Sequence, residues 1–297
     1  MRLLPIVPIL LSIGALILGF LCLFAGSKPD FLESYSILTL NTSRIGQNLI
    51  NTTSSSSSSN PLSALFHNLT DPLVNTLQSD LNNIASSLAK DLGLKDFYSA
   101  HLLDYCYGTY TPQAVPNATV KASAIHKNVT ACSNQTAMYA FDPTAALQKS
   151  LNESGVSITL DDLNWPADIE KGVKALRIAM KVAFVLYCVG IVFAFLTILT
   201  AAFWMFSGGR LSACIEIFTA VMAFLTFGIA SAITTTLAVK GDSIIDKYGE
   251  EIGVSADRGN GFLGLTWAAT GLMFVCSILG CAGCFRSRKR ESVKQYQ

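Results

Sequence analysis

Four long apolar stretches with almost no charge constrain this chain more than any other feature. Residues 3–27, 182–209 and 259–285 contain no charged side chain, and residues 211–239 contain one, Glu216. A helix that crosses the hydrocarbon core of a bilayer, about 30 Å thick, needs about 20 apolar residues. Each stretch exceeds that length. The sequence therefore predicts an all-α integral membrane protein with a four-transmembrane-helix bundle.

The bulk composition agrees with this class of protein. Hydrophobic residues make up 51% of the chain and charged residues 14%, and the apolar residues are concentrated in the four stretches. The formal net charge is only +1, whereas nucleic-acid binding requires a basic face that displaces counterions. We therefore expect the lipid bilayer as a partner and no nucleic acid.

The first stretch has two interpretations. The basic start Met1-Arg2 and the small residues Ala25-Gly26-Ser27 fit a cleaved signal peptide. Signal peptides, however, have apolar cores of about 7–15 residues. The uncharged stretch here is long enough to span a membrane, which favours a retained helix.

Basic residues predict the orientation, because short cytoplasmic segments carry an excess of Lys and Arg. A basic cluster at residues 286–290 follows the fourth stretch, and Arg210 lies in the turn between the second and third stretches. Both termini should then be cytoplasmic. The predicted organisation is a first transmembrane helix (1–27), an extracellular glycosylated loop (28–175, with a Ser-rich flexible segment at 51–60), a second (176–209) and third (210–239) transmembrane helix, a short extracellular loop (240–258), a fourth transmembrane helix (259–285) and a basic cytoplasmic tail (286–297).

Glycosylation motifs support the same orientation. All seven Asn-X-Ser/Thr triplets of the chain lie between residues 28 and 175. Such a triplet carries a glycan only where the loop enters the secretory lumen. We expect four or five of the seven to be occupied, and the candidates are Asn41, Asn51, Asn68, Asn117, Asn128, Asn134 and Asn152.

Cysteine placement also points to an oxidising compartment for this loop. Six of the eight cysteines lie in or at the ends of the apolar stretches, and only Cys106 and Cys132 lie in the loop. Two such thiols normally pair in an oxidising compartment. The alternative is a metal site, but no histidine lies at ligand spacing from either cysteine. A disulfide is favoured, and the loop is predicted to be disulfide-stapled.

The loop is also predicted to be mostly helical. Leucine, isoleucine and phenylalanine recur every three or four residues between Leu62 and Leu92, which places them on one helical face. Asn60-Pro61 and Asp71-Pro72 fit a capping residue followed by proline at the first helical position. This face could bind a partner or the membrane surface, but packing onto the protein's own outer domain is favoured. A further helix should begin near Pro166 and run into the second span, with Gly172 as a candidate hinge.

No pattern of catalytic residues is found. The three histidines are far apart in sequence, and there is no phosphate-binding glycine loop and no Gly-X-Ser-X-Gly nucleophile motif. We expect no enzyme activity, no cofactor, no metal and no small-molecule substrate.

Glu216 is the one charged residue inside a predicted span, and such residues are functional candidates by default. It lies only five residues past the start of its stretch, so it can reach the membrane surface, Arg210 or a neighbouring helix. A structural role is favoured over an ion path.

Small residues at four-residue spacing predict close helix packing in the third and fourth spans. Gly228 and Ala232 form one such pair, and Gly264 and Ala268 form the other. Packing within one chain and packing between copies of the chain both remain open.

Two cysteines, Cys281 and Cys284, lie beside the basic tail at the predicted cytoplasmic membrane edge. This position suits reversible palmitoylation, and an ordinary role as small residues at a helix end is equally open. The tail itself could attract anionic lipid or only fix the topology.

Several short segments resemble the fungal Sur-seven/PalI family, which has been compared with the claudins. The resemblance covers roughly residues 93–285. It rests on Phe97-Tyr-Ser-Ala-His101, Asp104-Tyr-Cys106, Ala131-Cys-Ser-Asn-Gln-Thr136, Phe141-Asp-Pro-Thr144, Trp165-Pro166, Gly209-Arg-Leu-Ser-Ala213, Tyr248-Gly-Glu-Glu-Ile-Gly253 and Phe262-Leu-Gly-Leu-Thr-Trp267.

This resemblance implies a plasma-membrane protein of static cortical patches, called eisosomes, with roles in membrane organisation, endocytosis and cell-wall integrity. The PalI branch instead assists ambient-pH signalling, and its members tend to carry a long cytoplasmic tail. Only 12 residues follow position 285 here, which favours the patch branch. The claudin Trp-Gly-Leu-Trp motif is absent, so claudin barrier residues are not transferred.

We therefore expect a non-enzymatic plasma-membrane organiser that associates with itself or with other cortical membrane proteins. An accessory subunit of ambient-pH or stress signalling is the alternative, and a channel or carrier is the third candidate.

Overall fold

The computed structural model describes residues 6–29, 31–45, 92–112, 119–154, 159–160, 167–207, 210–249 and 253–294. The chain divides into two compact units. A helical unit contains the described parts of Met1–Ala25, Ala179–Thr235 and Asn260–Gln297, and a sheet unit contains those of Gly26–Ile178 and Thr236–Gly259. The elements follow in the order α1 (Ile6–Phe24), β1 (Leu38–Asn41), β2 (Phe97–Ala100), β3 (Tyr105–Thr111), β4 (His126–Cys132), α2 (Pro143–Ser154), α3 (Ala167–Ser207), α4 (Arg210–Gly249), β5 (Ser255–Arg258) and α5 (Asn260–Lys294).

The four predicted spans are confirmed as helices. Each contains a segment long and apolar enough to cross a bilayer: Ile6–Phe24, Gly172–Ser207, Leu211–Gly249 and Asn260–Cys284. Two of these helices continue well past the uncharged stretches. The helix α3 begins at Ala167, as the proline signal predicted, and runs through Gly172 without a break. The helix α4 continues ten residues beyond Val239.

Small side chains let the helices of the helical unit approach one another. The ring of Phe227 on α4 lies against Gly19 of α1 and Gly190 of α3, where an added Cβ would come within 3.0 Å of ring carbons. Buried alanines such as Ala15 and Ala194 line the same interior. Because lipid chains are as apolar as the helices, close van der Waals contact rather than hydrophobic burial holds such a bundle together.

The sheet unit contains a five-stranded antiparallel sheet with the strand order β4-β3-β2-β1-β5. The first four strands form a meander, and β5 joins the free edge of β1 from the segment between α4 and α5. The prediction of an all-α protein with a mostly helical loop is therefore wrong for the described part of the loop. The predicted helices between residues 62 and 91, their caps and the Ser-rich segment at 51–60 lie outside the described residues.

An aromatic cluster forms the core on one face of this sheet. Tyr98, Tyr105 and Tyr107 alternate with residues of the opposite face, and their ring centroids lie 6.0–6.3 Å apart. The hydroxyl of Tyr98 lies 2.7 Å from Ser150 Oγ of α2, and Phe141 packs on Tyr105. Edge-to-face and offset aromatic contacts of this kind add to the stability gained from burial.

The helix α2 begins with an Asp-Pro pair of the type that the sequence predicted elsewhere in the loop. The carboxylate of Asp142 accepts a hydrogen bond from the amide of Ala145, and Pro143 occupies the first helical position. This is the geometry of an N-cap followed by proline. Asp142 also forms an ion pair with Arg177 of α3.

Candidate functional sites in the sheet and in the bundle

The disulfide Cys106–Cys132 lies in the sheet, as predicted. The two cysteines are directly opposite each other on β3 and β4. The bond therefore closes the edge of the meander, and the sulfur of Cys106 also lies 3.2 Å from the carbonyl oxygen of Gly26. A cross-link of this kind restricts the unfolded chain, and a loop of about 25 residues is worth about 3 kcal/mol.

Two buried titratable residues occupy the turn between β2 and β3, and sequence reasoning did not single them out as a site. His101 and Asp104 are joined through their backbones by a hydrogen bond of 3.0 Å. The imidazole packs against Gly26, whose positive φ of 78° and missing Cβ leave room for it. The carboxylate of Asp104 has no hydrogen-bond partner among the described residues, whereas the imidazole of His101 lies close to the backbone of Tyr35.

Burial shifts the pKa values of these two residues in opposite directions. Desolvation lowers the pKa of His101 to about 4, and the nearby Lys127 ammonium adds to that effect. Desolvation raises the pKa of the Asp104 carboxyl to about 7. In each case the low-polarity surroundings disfavour the charged form. Both groups are therefore held neutral over part of the pH range in which they would be charged in water.

The face of the sheet opposite the tyrosines is polar and hydrogen-bonded. Ser99 donates to a carboxylate oxygen of Glu33 at 2.7 Å, and its hydroxyl lies 3.3 Å from that of Thr39. The ammonium of Lys127 donates to Thr39 at 2.9 Å and lies over the ring of Phe97. Because the buried members of this network have partners, it stabilises one register of the strands.

The segment between α4 and α5 completes the sheet through contacts with the extension of α4. The carboxylate of Asp246 accepts a hydrogen bond of 2.8 Å from the amide of Ala256. Asp242 forms an ion pair with Arg258 at 2.7 Å. The charged residues that follow the third apolar stretch thus hold β5 in place.

The candidate glycosylation sites differ in accessibility. Asn128, Asn134 and Asn152 are exposed. Asn41 instead lies in the interior strand β1, where its side-chain oxygen accepts hydrogen bonds from the amide and hydroxyl of Ser43. Asn51, Asn68 and Asn117 lie outside the described residues.

A cluster of hydroxyl groups lies inside the helical unit. The phenol of Tyr187 on α3 is within hydrogen-bonding distance of Thr234 on α4 and Thr266 on α5. Ser231 bonds to Thr266 and Thr270 across the same interface. All five side chains are buried. Hydrogen bonds between membrane helices fix which faces meet.

Glu216 is fully buried and does not extend to the surface. One carboxylate oxygen lies 3.8 Å from the sulfur of Cys276, which lies 3.5 Å from the hydroxyl of Ser12. The other oxygen has no hydrogen-bond partner among the described residues. It occupies the space left by Gly280, where a Cβ would lie 2.5 Å away. Glu216 therefore contacts neighbouring helices, one of the three environments that we predicted.

The four small residues predicted to pack helices do not share one environment. Gly228 lies against Thr270 of α5, with 3.6 Å between an added Cβ and the threonine methyl group. Ala232, Gly264 and Ala268 are exposed. An added Cβ at Gly264 or at Gly271, one turn beyond Ala268, meets nothing within 4 Å among the described residues. The small-residue face of α5 thus faces away from the bundle interior.

The described residues contain no group of three or more His, Cys, Asp or Glu side chains that could hold a metal ion. Within those ranges, Glu216 is a buried acid in the helical unit, and His101 and Asp104 are two buried titratable residues in the sheet unit.

These features define a multi-pass membrane protein with four spanning helices and a disulfide-linked antiparallel sheet. The chain belongs to the SUR7/PalI family, whose model matches residues 4–279. It is 28% identical over 201 residues to the SUR7 family protein pun1 of Schizosaccharomyces pombe. The matched region is 64% of this chain and 62% of that relative, so the chain covers less than two thirds of the relative's length. No solved structure matches the chain.

Proposed function

We propose that this chain is a non-enzymatic organiser of static, eisosome-type cortical patches in the plasma membrane. Its roles would lie in membrane organisation, endocytosis and cell-wall integrity. Membership of the SUR7/PalI family supports a membrane protein of this kind. In the proposed topology both termini are cytoplasmic and the sheet unit is extracellular. Its partners are the lipid bilayer, further copies of the chain and other cortical membrane proteins.

The observation that carries this proposal is the outward small-residue face of α5, formed by Gly264, Ala268 and Gly271. Small residues let the backbones of two membrane helices approach closely. Within the described residues this face makes no close contact at either glycine, so it is available to a second helix. Lateral association through this face would gather copies of the chain into patches.

Localisation of a fluorescently tagged full-length chain in a fungal host tests the proposal. Wild-type protein should form immobile cortical puncta that do not recover after photobleaching. Gly264→Leu should reach the cell surface in glycosylated form but spread evenly, because leucine separates the two helix backbones. Even spreading of the wild-type protein would contradict the organiser function.

Two further variants separate assembly from folding. Gly228→Leu should be retained in the secretory pathway, because it forces a large side chain against Thr270 inside the bundle. Val192→Leu is the matched control, since Val192 is exposed on α3, and it should leave the puncta unchanged. Normal puncta from Gly264→Leu would leave the sheet unit or the tail as the assembly element.

An accessory role in ambient-pH or stress signalling is the second candidate. The observation in its favour is the pair His101 and Asp104, because burial brings the pKa of Asp104 to about 7. Co-purification of the tagged chain with a sensor complex, without cortical puncta, would support this role over the first.

A further inference from the structure

Two thiols from different helices meet where α4 begins and α5 approaches its basic segment. The sulfur of Cys214 lies 3.5 Å from the sulfur of Cys284, although 70 residues separate them in sequence. Cys281 lies one turn before Cys284 on the same helix. None of the three belongs to the Cys106–Cys132 disulfide, and Cys214 and Cys281 are exposed while Cys284 is half-buried. Helix packing, rather than chance proximity along the chain, therefore brings the pair together.

The positions of the other free cysteines single out this pair. Cys22 and Cys276 are buried in the helical unit, and Cys188 lies on α3. A disulfide bond is about 2.05 Å long, so the sulfurs of Cys214 and Cys284 have to approach by about 1.5 Å.

We propose that Cys214 and Cys284 form a dithiol that a hydroperoxide oxidises to a disulfide between α4 and α5. The thiolate of Cys214, the more exposed of the two, attacks one peroxide oxygen. The O–O bond breaks, an alcohol or water leaves, and a sulfenic acid forms. The thiolate of Cys284 then attacks that sulfur, the S–O bond breaks, and water leaves as the S–S bond forms. The two thiols lose two electrons and the peroxide gains them.

The disulfide changes which cysteines at this end of the bundle can be acylated. In the proposed topology it faces the cytosol, where disulfides are transient and sense oxidants. A disulfide-bonded Cys284 has no thiol left for a palmitoyl thioester, whereas Cys281 keeps its thiol. Oxidation therefore fixes the start of α4 to α5 and removes one of the two candidate acylation sites. The dithiol does not depend on the proposed patch function, so each can fail without the other.

The full-length chain in detergent micelles provides the test. Protein reduced under mild conditions that leave the Cys106–Cys132 bond intact is treated with hydrogen peroxide. The remaining thiols are then alkylated, and unreduced peptides are mapped by mass spectrometry. A peptide containing Cys214 linked to Cys284 should be the main new product. Cys281→Ser should form it to the same extent as wild type, whereas Cys214→Ser and Cys284→Ser should abolish it.

The native Cys106–Cys132 disulfide serves as the folding control in each variant, because its loss would reveal misfolding. Three results would overturn the proposal. They are a disulfide between two chains, a disulfide that uses Cys281, and alkylation of both Cys214 and Cys284 after the exposed Cys281 has been oxidised.

Discussion

At the scale of single residues, burial in the sheet unit changes the pKa values of two side chains. His101 and Asp104 lie at the same turn and are both buried. Their pKa values move in opposite directions for the same reason, since desolvation disfavours the imidazolium and the carboxylate alike. Opposite shifts have a consequence for stability, because each residue links folding to pH with its own sign.

The first prediction concerns this pH dependence. Between pH 4 and 6.5 the folded chain holds His101 neutral while the unfolded chain protonates it, so this residue makes stability rise with pH. Over about pH 4 to 7 the folded chain holds Asp104 protonated while the unfolded chain ionises it, so that residue makes stability fall with pH. The two effects oppose each other in the wild type. The stability of Asp104→Asn should therefore rise with pH up to 6.5. The stability of His101→Gln should fall over the same range.

Thermal unfolding of the purified full-length chain in detergent, followed between pH 4 and 7, measures both profiles. Ser123→Ala is a suitable control, because Ser123 is exposed and lies in no glycosylation triplet, so its replacement should leave the wild-type profile unchanged. Profiles with the same slope in both test variants would contradict the environments described for His101 and Asp104.

A second prediction at this scale concerns the disulfide. Cys106→Ser should expose the thiol of Cys132 and retain the protein in the secretory pathway, because the meander edge loses a constraint worth about 3 kcal/mol. A maleimide applied after the cells have been permeabilised detects the new thiol in the retained protein. Labelling of either cysteine in unreduced wild-type protein at the cell surface would argue against the bond.

At the scale of elements, the extension of α4 and the strand β5 depend on each other. Four backbone positions of β5 pair with β1 in antiparallel register, with Ala256 opposite Leu40. A four-residue strand at a sheet edge has little stability of its own. Two contacts with α4 add to the stability of this strand. The amide of Ala256 donates a hydrogen bond to Asp246, and Arg258 forms an ion pair with Asp242.

The third prediction follows from this anchoring. Asp246→Ala should loosen β5, because it removes the acceptor of the Ala256 amide and costs about 1 kcal/mol. Amide hydrogen exchange at Ala256 and Asp257 should accelerate about fivefold. Lys240→Ala, an exposed change on the same helix, should leave the exchange unaltered. Equal protection in wild type and Asp246→Ala would show that backbone pairing alone holds the strand.

At the scale of the whole molecule, the proposed topology predicts where glycans are found. Glycosidase treatment should lower the apparent mass by several glycan units. Asn→Gln changes at the exposed Asn128, Asn134 and Asn152 should each remove one unit, whereas Asn41→Gln should leave the mass unchanged. The side chain of Asn41, at the end of the interior strand β1, is already hydrogen-bonded to Ser43. Surface protein whose mass does not change with glycosidase would refute an extracellular sheet unit.

Much of the helical unit could be predicted from the sequence because its causes are local. The length of an uncharged apolar stretch decides whether it can span a bilayer, and this length can be read without knowledge of neighbouring segments. The start of α3 near Pro166 has an equally local cause, since proline is tolerated in the first turn of a helix. The pairing of Cys106 with Cys132 followed from counting two thiols in one oxidising loop.

The sheet depended on contacts that no local pattern reveals. Tyrosines and threonines in β3 have high strand propensity, but β1 and β5 are four residues each and come from segments more than 200 residues apart. Contacts from the extension of α4 to Ala256 and Arg258 hold β5 beside β1. Likewise, the spacing of Gly228, Ala232, Gly264 and Ala268 predicted close packing but not its direction. Helix rotation places Gly228 against Thr270 and turns Gly264 outward, because the buried hydroxyls of Ser231, Thr266 and Thr270 bond to one another across the interface.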